Sequence, residues 1–69
     1  MRMALELIEK KFLGQNVKIG VPHWDKPGES FFYYGLLAEV SEKELLLFTD
    51  KRMLRLDVES ITEIFLLEG

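Results

Sequence analysis

The chain has 69 residues, no cysteine and a formal charge of −3 at pH 7, from nine Lys and Arg against twelve Asp and Glu. That length allows one domain, residues 1–69, since nothing would remain for a second core. The few basic residues argue against a general phosphate-binding surface, and the lack of cysteine excludes disulfides and thiolate metal sites while leaving the compartment open.

A domain this small buries only about 60% of the surface its unfolded chain exposes, so it needs a dense core or a partner. The apolar content of 48% is enough to suggest both. Charge is unevenly spread: residues 1–30 hold five Lys/Arg and four Asp/Glu (+1), whereas 31–69 hold four and eight (−4).

Met3–Leu13 reads as a short amphipathic helix, with Leu5, Ile8 and Phe12 recurring at spacings of three and four and Ala4 and Leu7 widening the stripe. Glu6 and Lys10 form a favourable pair four residues apart. Lys10–Lys11 suit the negative end of the helix dipole, and Gly14 stands where a left-handed cap is expected. Its four charged side chains leave neither a secretory apolar region nor the roughly 20 apolar residues of a membrane span. The expectation is a soluble cytoplasmic protein with no membrane partner.

From Val17 the hydrophobic period changes to two, and Val17, Ile19 and Val21 share a face of a first strand that Pro22 closes. His23–Ser30 is the one long loop, with Lys26-Pro27-Gly28-Glu29 matching a type II turn in which Gly28 takes the positive φ. Phe31–Val40 is a long second strand. Alternation sends Phe32, Tyr34, Leu36, Ala38 and Val40 to one side and Phe31, Tyr33, Gly35 and Leu37 to the other. After a polar turn at 41–44 come a third strand, Leu45–Thr49, and a tight hairpin at Asp50-Lys51. The fourth strand, Arg52–Asp57, turns Arg52, Leu54 and Leu56 one way and Met53, Arg55 and Asp57 the other. Val58–Ser60 suits one helical turn, and Ile61–Leu67 makes a fifth strand.

A helix followed by five short strands, the second long, predicts a mainly β fold: an N-terminal α-helix at about 3–13 and a strongly bent antiparallel SH3-like barrel at about 16–67. Closure would remove the sheet edges, and Gly35 suits a sharp bend at a barrel corner.

Three segments carry a family resemblance across nearly the whole chain. Leu13-Gly14-Gln15-Asn16-Val17-Lys18-Ile19 looks like the approach to the first strand, Gly35-Leu36-Leu37 like the bend of the second, and Ile61-Thr62-Glu63-Ile64 like the last strand of the Sm-like proteins, the small barrels that include the bacterial RNA chaperone Hfq. The resemblance implies a ring-forming fold. It does not carry the family's RNA pocket, because the polar positions around the second turn fall on Ser41 and Leu45, and Leu56-Asp57-Val58 stands where an Ile-Arg-Gly type segment is expected. A carboxylate there repels phosphate and offers no plane for a base.

Candidate contact residues fall in three places. His23 and Trp24 stand on the long loop, where Trp24 either caps one end of the barrel or serves as an anchor for a protein or a base. Tyr33 and Tyr34 belong to a strand that is apolar on both faces. Lys51, Arg52 and Arg55 form a compact basic cluster that either touches phosphates or keeps an edge soluble. Apolar character on both faces of the second and last strands marks Phe32, Met53, Leu54, Ile64, Phe65 and Leu66 as a candidate oligomer interface, the last strand pairing with a neighbour's fourth.

Catalysis is poorly served: His23 is the sole histidine, and the hydroxyls lie in no nucleophile motif. No phosphate-cradling glycine pattern or metal-ligand spacing is present, and no cofactor is implied. The expectation is a non-catalytic homo-oligomeric Sm-like binding or scaffold module that partners copies of itself and whose further partner the sequence does not name, another protein being one option. The alternative is a ring that binds RNA or single-stranded nucleic acid through Trp24, the tyrosines and the basic cluster.

Overall fold

The computed structural model describes residues 4–67. Helix α1 (Leu5–Phe12) leads into β1 (Asn16–Pro22), β2 (Ser30–Val40), β3 (Glu44–Phe48), β4 (Met53–Asp57), a 3-10 turn at Val58–Ser60, and β5 (Glu63–Leu66). The strands form one antiparallel sheet in the order β4-β3-β2-β1-β5. Met3, expected in the helix, lies outside the described residues.

The helix is held by its apolar stripe. Ile8 and Phe12 enter the core, while Leu7, expected to widen that stripe, is half exposed. At its end Gly14 takes φ +79°, donates its N–H to the Leu37 carbonyl at 2.8 Å, and lets Leu37 return a bond to the Gln15 carbonyl at 3.0 Å. The left-handed turn thus docks the helix onto β2. Gly28 has φ +85°, and the Glu29 N–H reaches the Lys26 carbonyl at 3.1 Å, closing the turn expected around Pro27.

Val17 and Ile19 of β1, Leu37 of β2, Leu45 and Leu47 of β3, and Ile61 and Ile64 complete the core with the two helix side chains. Leu54 and Leu56 pack against it while Met53, Arg55 and Asp57 stay exposed, as the fourth strand's alternation predicts. In β2 strict alternation fails. A register shift between Leu37 and Glu39 inserts an extra residue, so Leu37 and Val40 both pack inward. A bulge moves every later side chain to the opposite face, and its mark in the sequence is Glu39, which strict alternation would set beside Leu37 in the core.

The five-stranded sheet does not close into a barrel, which corrects the expected architecture. Among the described residues β4 and β5 remain unpaired edges. Their connector is pinned at each end to a different strand: the Val58 N–H bonds the Lys43 carbonyl at 2.9 Å, and the Thr62 N–H bonds the Gly20 carbonyl at 2.8 Å. A turn therefore spans the seam where a ladder of hydrogen bonds would be required. Asp57 caps this turn, its carboxylate accepting from the Glu59 N–H at 3.0 Å. β5 is correspondingly shorter than the seven residues expected. The helix fills the inner face, so the outer face has no cover from within the described chain. No helix among the described residues is long and apolar enough to cross a membrane.

Candidate functional site

The pairing of β2 with β3 ends at Leu36 and Phe48, so the aromatic half of β2, Phe31–Tyr34, runs on beside the hairpin between β3 and β4. Between them lies a groove of about 540 Å³, bounded on the far side by Thr49, Asp50, Lys51, Arg52 and Leu54. Its volume falls in the range of about 300–1,000 Å³ typical of ligand sites. Four residues singled out as contacts (Tyr33, Tyr34, Lys51 and Arg52) and two assigned to an interface (Phe32 and Leu54) line this one concavity.

The hairpin wall is built by Thr49. Its Oγ1 accepts from the N–H groups of Lys51 at 3.3 Å and Arg52 at 3.2 Å and donates to the Arg52 carbonyl at 3.0 Å. Such a turn fixes the backbone that carries the two cations. Neither the Lys51 nor the Arg52 side chain has a carboxylate partner among the described residues. Arg55, expected to join them, lies on the outer face and pairs with Glu44 at 3.2 Å instead. Asp50 is the acidic neighbour of the two cations.

At Phe31 the groove meets a cluster of rings, in which His23 also lies 6.3 Å from Phe31. Tyr33 meets Phe31 edge-on with centroids 4.9 Å apart, Phe31 lies 5.5 Å from Trp24, and Trp24 stacks on His23 at 4.2 Å. The His23 Nδ1 accepts the Asp25 N–H at 3.1 Å, which fixes the imidazole under the indole. Trp24 is 78% exposed, so it does not cap the fold. Its surface position is held by ring contacts rather than by burial. Phe31 links the loop to the groove and was not singled out in the sequence, although its spacing of two from Tyr33 places both on one face. Thr49 was also missed; its signal is a Thr two and three residues ahead of the N–H groups it binds.

The remaining candidates divide by face. Ile64 is buried in the core, and Leu54 packs against it. Phe32 and Phe65 share the ammonium of Lys18, which lies 4.5 Å and 5.3 Å from their ring centroids. On the outer face the register aligns Leu36 with Phe48 and Phe48 with Met53, making an apolar row across three strands beside Tyr34. Met53, Phe65 and Leu66 are each about half exposed on the edge strands. No group of three or more His, Cys, Asp or Glu side chains stands together for a metal among the described residues.

Fold and site together define a small mainly β domain with one helix, an open five-stranded antiparallel sheet and an aromatic groove with cations on one wall. Comparison with known protein families, with characterised proteins and with solved structures finds no match to this chain.

Proposed function

We propose that the protein is a non-catalytic, homo-oligomeric binding module of Sm-like architecture, in which β4 of one copy pairs with β5 of the next to build a ring. The observation that carries this reading is the pair of free sheet edges bearing exposed apolar side chains, Met53 on one and Phe65 and Leu66 on the other. An exposed edge of this composition recruits another strand, and joining two different edges gives a head-to-tail contact that closes when its rotation allows.

Face parity and charge select a register. Outward residues must meet outward residues, so Phe65 falls opposite Met53 or Arg55. The first choice sets Glu63 against Arg55 and Ile64 beside Leu54, whereas the second sets Glu63 against Asp57, a like-charge pair. The first register is favoured.

In light scattering at micromolar concentration the wild-type chain is expected to be oligomeric, and the pair of substitutions Met53→Asp and Phe65→Asp is expected to give a folded monomer. Arg55→Glu should weaken assembly and Glu63→Arg, added to it, should restore it. A wild-type chain that sediments as a monomer would overturn the proposal.

The nucleic-acid alternative draws less support. Arg55 lies outside the groove, so two cations, Lys51 and Arg52, remain there. Asp57 caps a turn and Leu45 is fully buried, so these two positions, which would face a base if the family resemblance carried over, have structural duties here. The same oligomer should therefore show no salt-dependent affinity for oligonucleotide.

A further inference from the structure

We infer that the groove between β2 and the β3–β4 hairpin, with the ring cluster that extends it, binds an extended peptide of a partner protein: apolar in its middle and acidic at the end meeting Lys51 and Arg52. The inference rests on the binding-module reading above and names the kind of partner that module takes.

The first argument is shape. The concavity reaches Phe31, and Phe31 is one corner of a ring cluster with Trp24 at 5.5 Å and His23 at 6.3 Å, so aromatic surface continues past the groove from Tyr33 by way of Phe31. An extended chain advances about 3.3 Å per residue, so about three residues span the rings from Tyr33 to His23. Rings already packed against one another lose little freedom on binding, which suits them as anchors for apolar side chains or proline. Trp24 fits that role in particular, being fixed by its neighbours yet open to solvent.

The second argument is charge. The hairpin end of the site carries Lys51 and Arg52 against Asp50, a local excess of one positive charge. The loop at the opposite end carries Asp25 and Glu29 against Lys26, an excess of one negative charge. A nucleic-acid strand bears the same sign along its whole length and would meet repulsion at the Trp24 end. A peptide can vary its sign and match both ends. The unpaired state of Lys51 and Arg52 adds to this, since two adjacent cations without a carboxylate partner are free to accept one from outside.

The experiment uses the full chain and fluorescently labelled peptides of about nine residues, long enough for the ring cluster with flanks. One set has a proline- and leucine-rich centre with Asp and Glu at a single end, a second has Lys and Arg there instead, and oligothymidylate is the third probe. Anisotropy is expected to show saturable binding of the acidic-ended set alone, weakened about tenfold by the double substitution Lys51→Glu and Arg52→Glu and about tenfold by Trp24→Ala. Both variants alter exposed side chains, and circular dichroism should confirm that they fold.

Light scattering on the same samples separates the two proposals. An intact oligomer that binds none of the peptides overturns the groove assignment alone, whereas a monomer that still binds the acidic-ended set overturns the ring alone. Equal binding of acidic and basic sets, or binding of oligothymidylate with a steep salt dependence in place of peptide, also overturns the inference.

Discussion

Replacing Gly35 with alanine is expected to unfold a large share of the protein. A Cβ built on Gly35 would lie 2.8 Å from the Phe48 carbonyl carbon, closer still to its oxygen, and 3.2 Å from the Thr49 Cα. All three atoms belong to the backbone of β3 and the hairpin, so no side chain can swing away to relieve the clash. Overpacking commonly costs about 1–3 kcal/mol, and here the strand itself must move, which points to about 3 kcal/mol or more.

A domain of this length has only about 3–10 kcal/mol of stability, and each kcal/mol lost lowers the melting temperature by about 4–8 °C. Two other glycines supply the contrast. At Gly14 an added Cβ meets open space, leaving only the left-handed φ, worth about 1–2 kcal/mol. At Gly20 it meets the side chains of Glu63, Phe32 and Thr62, which can shift. Urea and thermal unfolding should therefore rank Gly35→Ala as the most damaging of the three. If Gly14→Ala proves worse, the close approach of β3 to Gly35 is wrong. Because this close approach also holds Phe31–Tyr34 beside the hairpin, any residual folded Gly35→Ala protein should lose the groove.

Gly35 also shows how far the sequence could be read. A lone glycine inside an apolar strand suggests a bend, and what the structure shows at Gly35 is a backbone approach by Phe48 that leaves no room for a Cβ. Gly14 and Gly28 were legible for the same reason, since each occupies a left-handed conformation that its neighbours announce: a helix ending in lysines and a Pro-Gly turn. The fourth strand was legible because one face is wet and the other dry, so Met53, Arg55 and Asp57 separate cleanly from Leu54 and Leu56.

The second strand was less so, because both its faces are apolar as far as Ala38, and the one sign of the bulge is Glu39, which strict alternation would place on the buried face of Leu37. Closure of the sheet was misjudged for a related reason. Whether two edge strands meet depends on which strands pin the connector at Val58 and Thr62, and hydrophobic period says nothing about backbone hydrogen bonds between distant segments. Of the candidate site, the aromatic and basic residues could be identified by type, but their grouping could not. Tyr33 and Lys51 come together only where β2 runs past the hairpin, whereas the departure of Arg55 was already implied by the alternation that turns it away from Arg52.

Leu45→Asn is the second substitution expected to have a large effect, and it bears directly on function. The family resemblance puts a polar side chain at this position, yet Leu45 is 0% exposed, registered between Val40 and Leu56 near the start of β3. No polar side chain is buried among the described residues, so an amide introduced here finds no side-chain partner. The change forfeits about 1.5–3 kcal/mol of burial and leaves amide groups unsatisfied at about 1–3 kcal/mol each. A loss of about 4 kcal/mol or more approaches the whole stability of so small a domain. Leu45→Met, which keeps the volume, should cost less than about 1.5 kcal/mol and serves as the control. Denaturant titration with circular dichroism reads both, and oligonucleotide titration of whatever remains folded reads the functional side. A Leu45→Asn protein that melts within a few degrees of wild type and gains salt-dependent affinity for oligonucleotide would mean that this position opens onto a base-binding surface, and would return the nucleic-acid reading to first place.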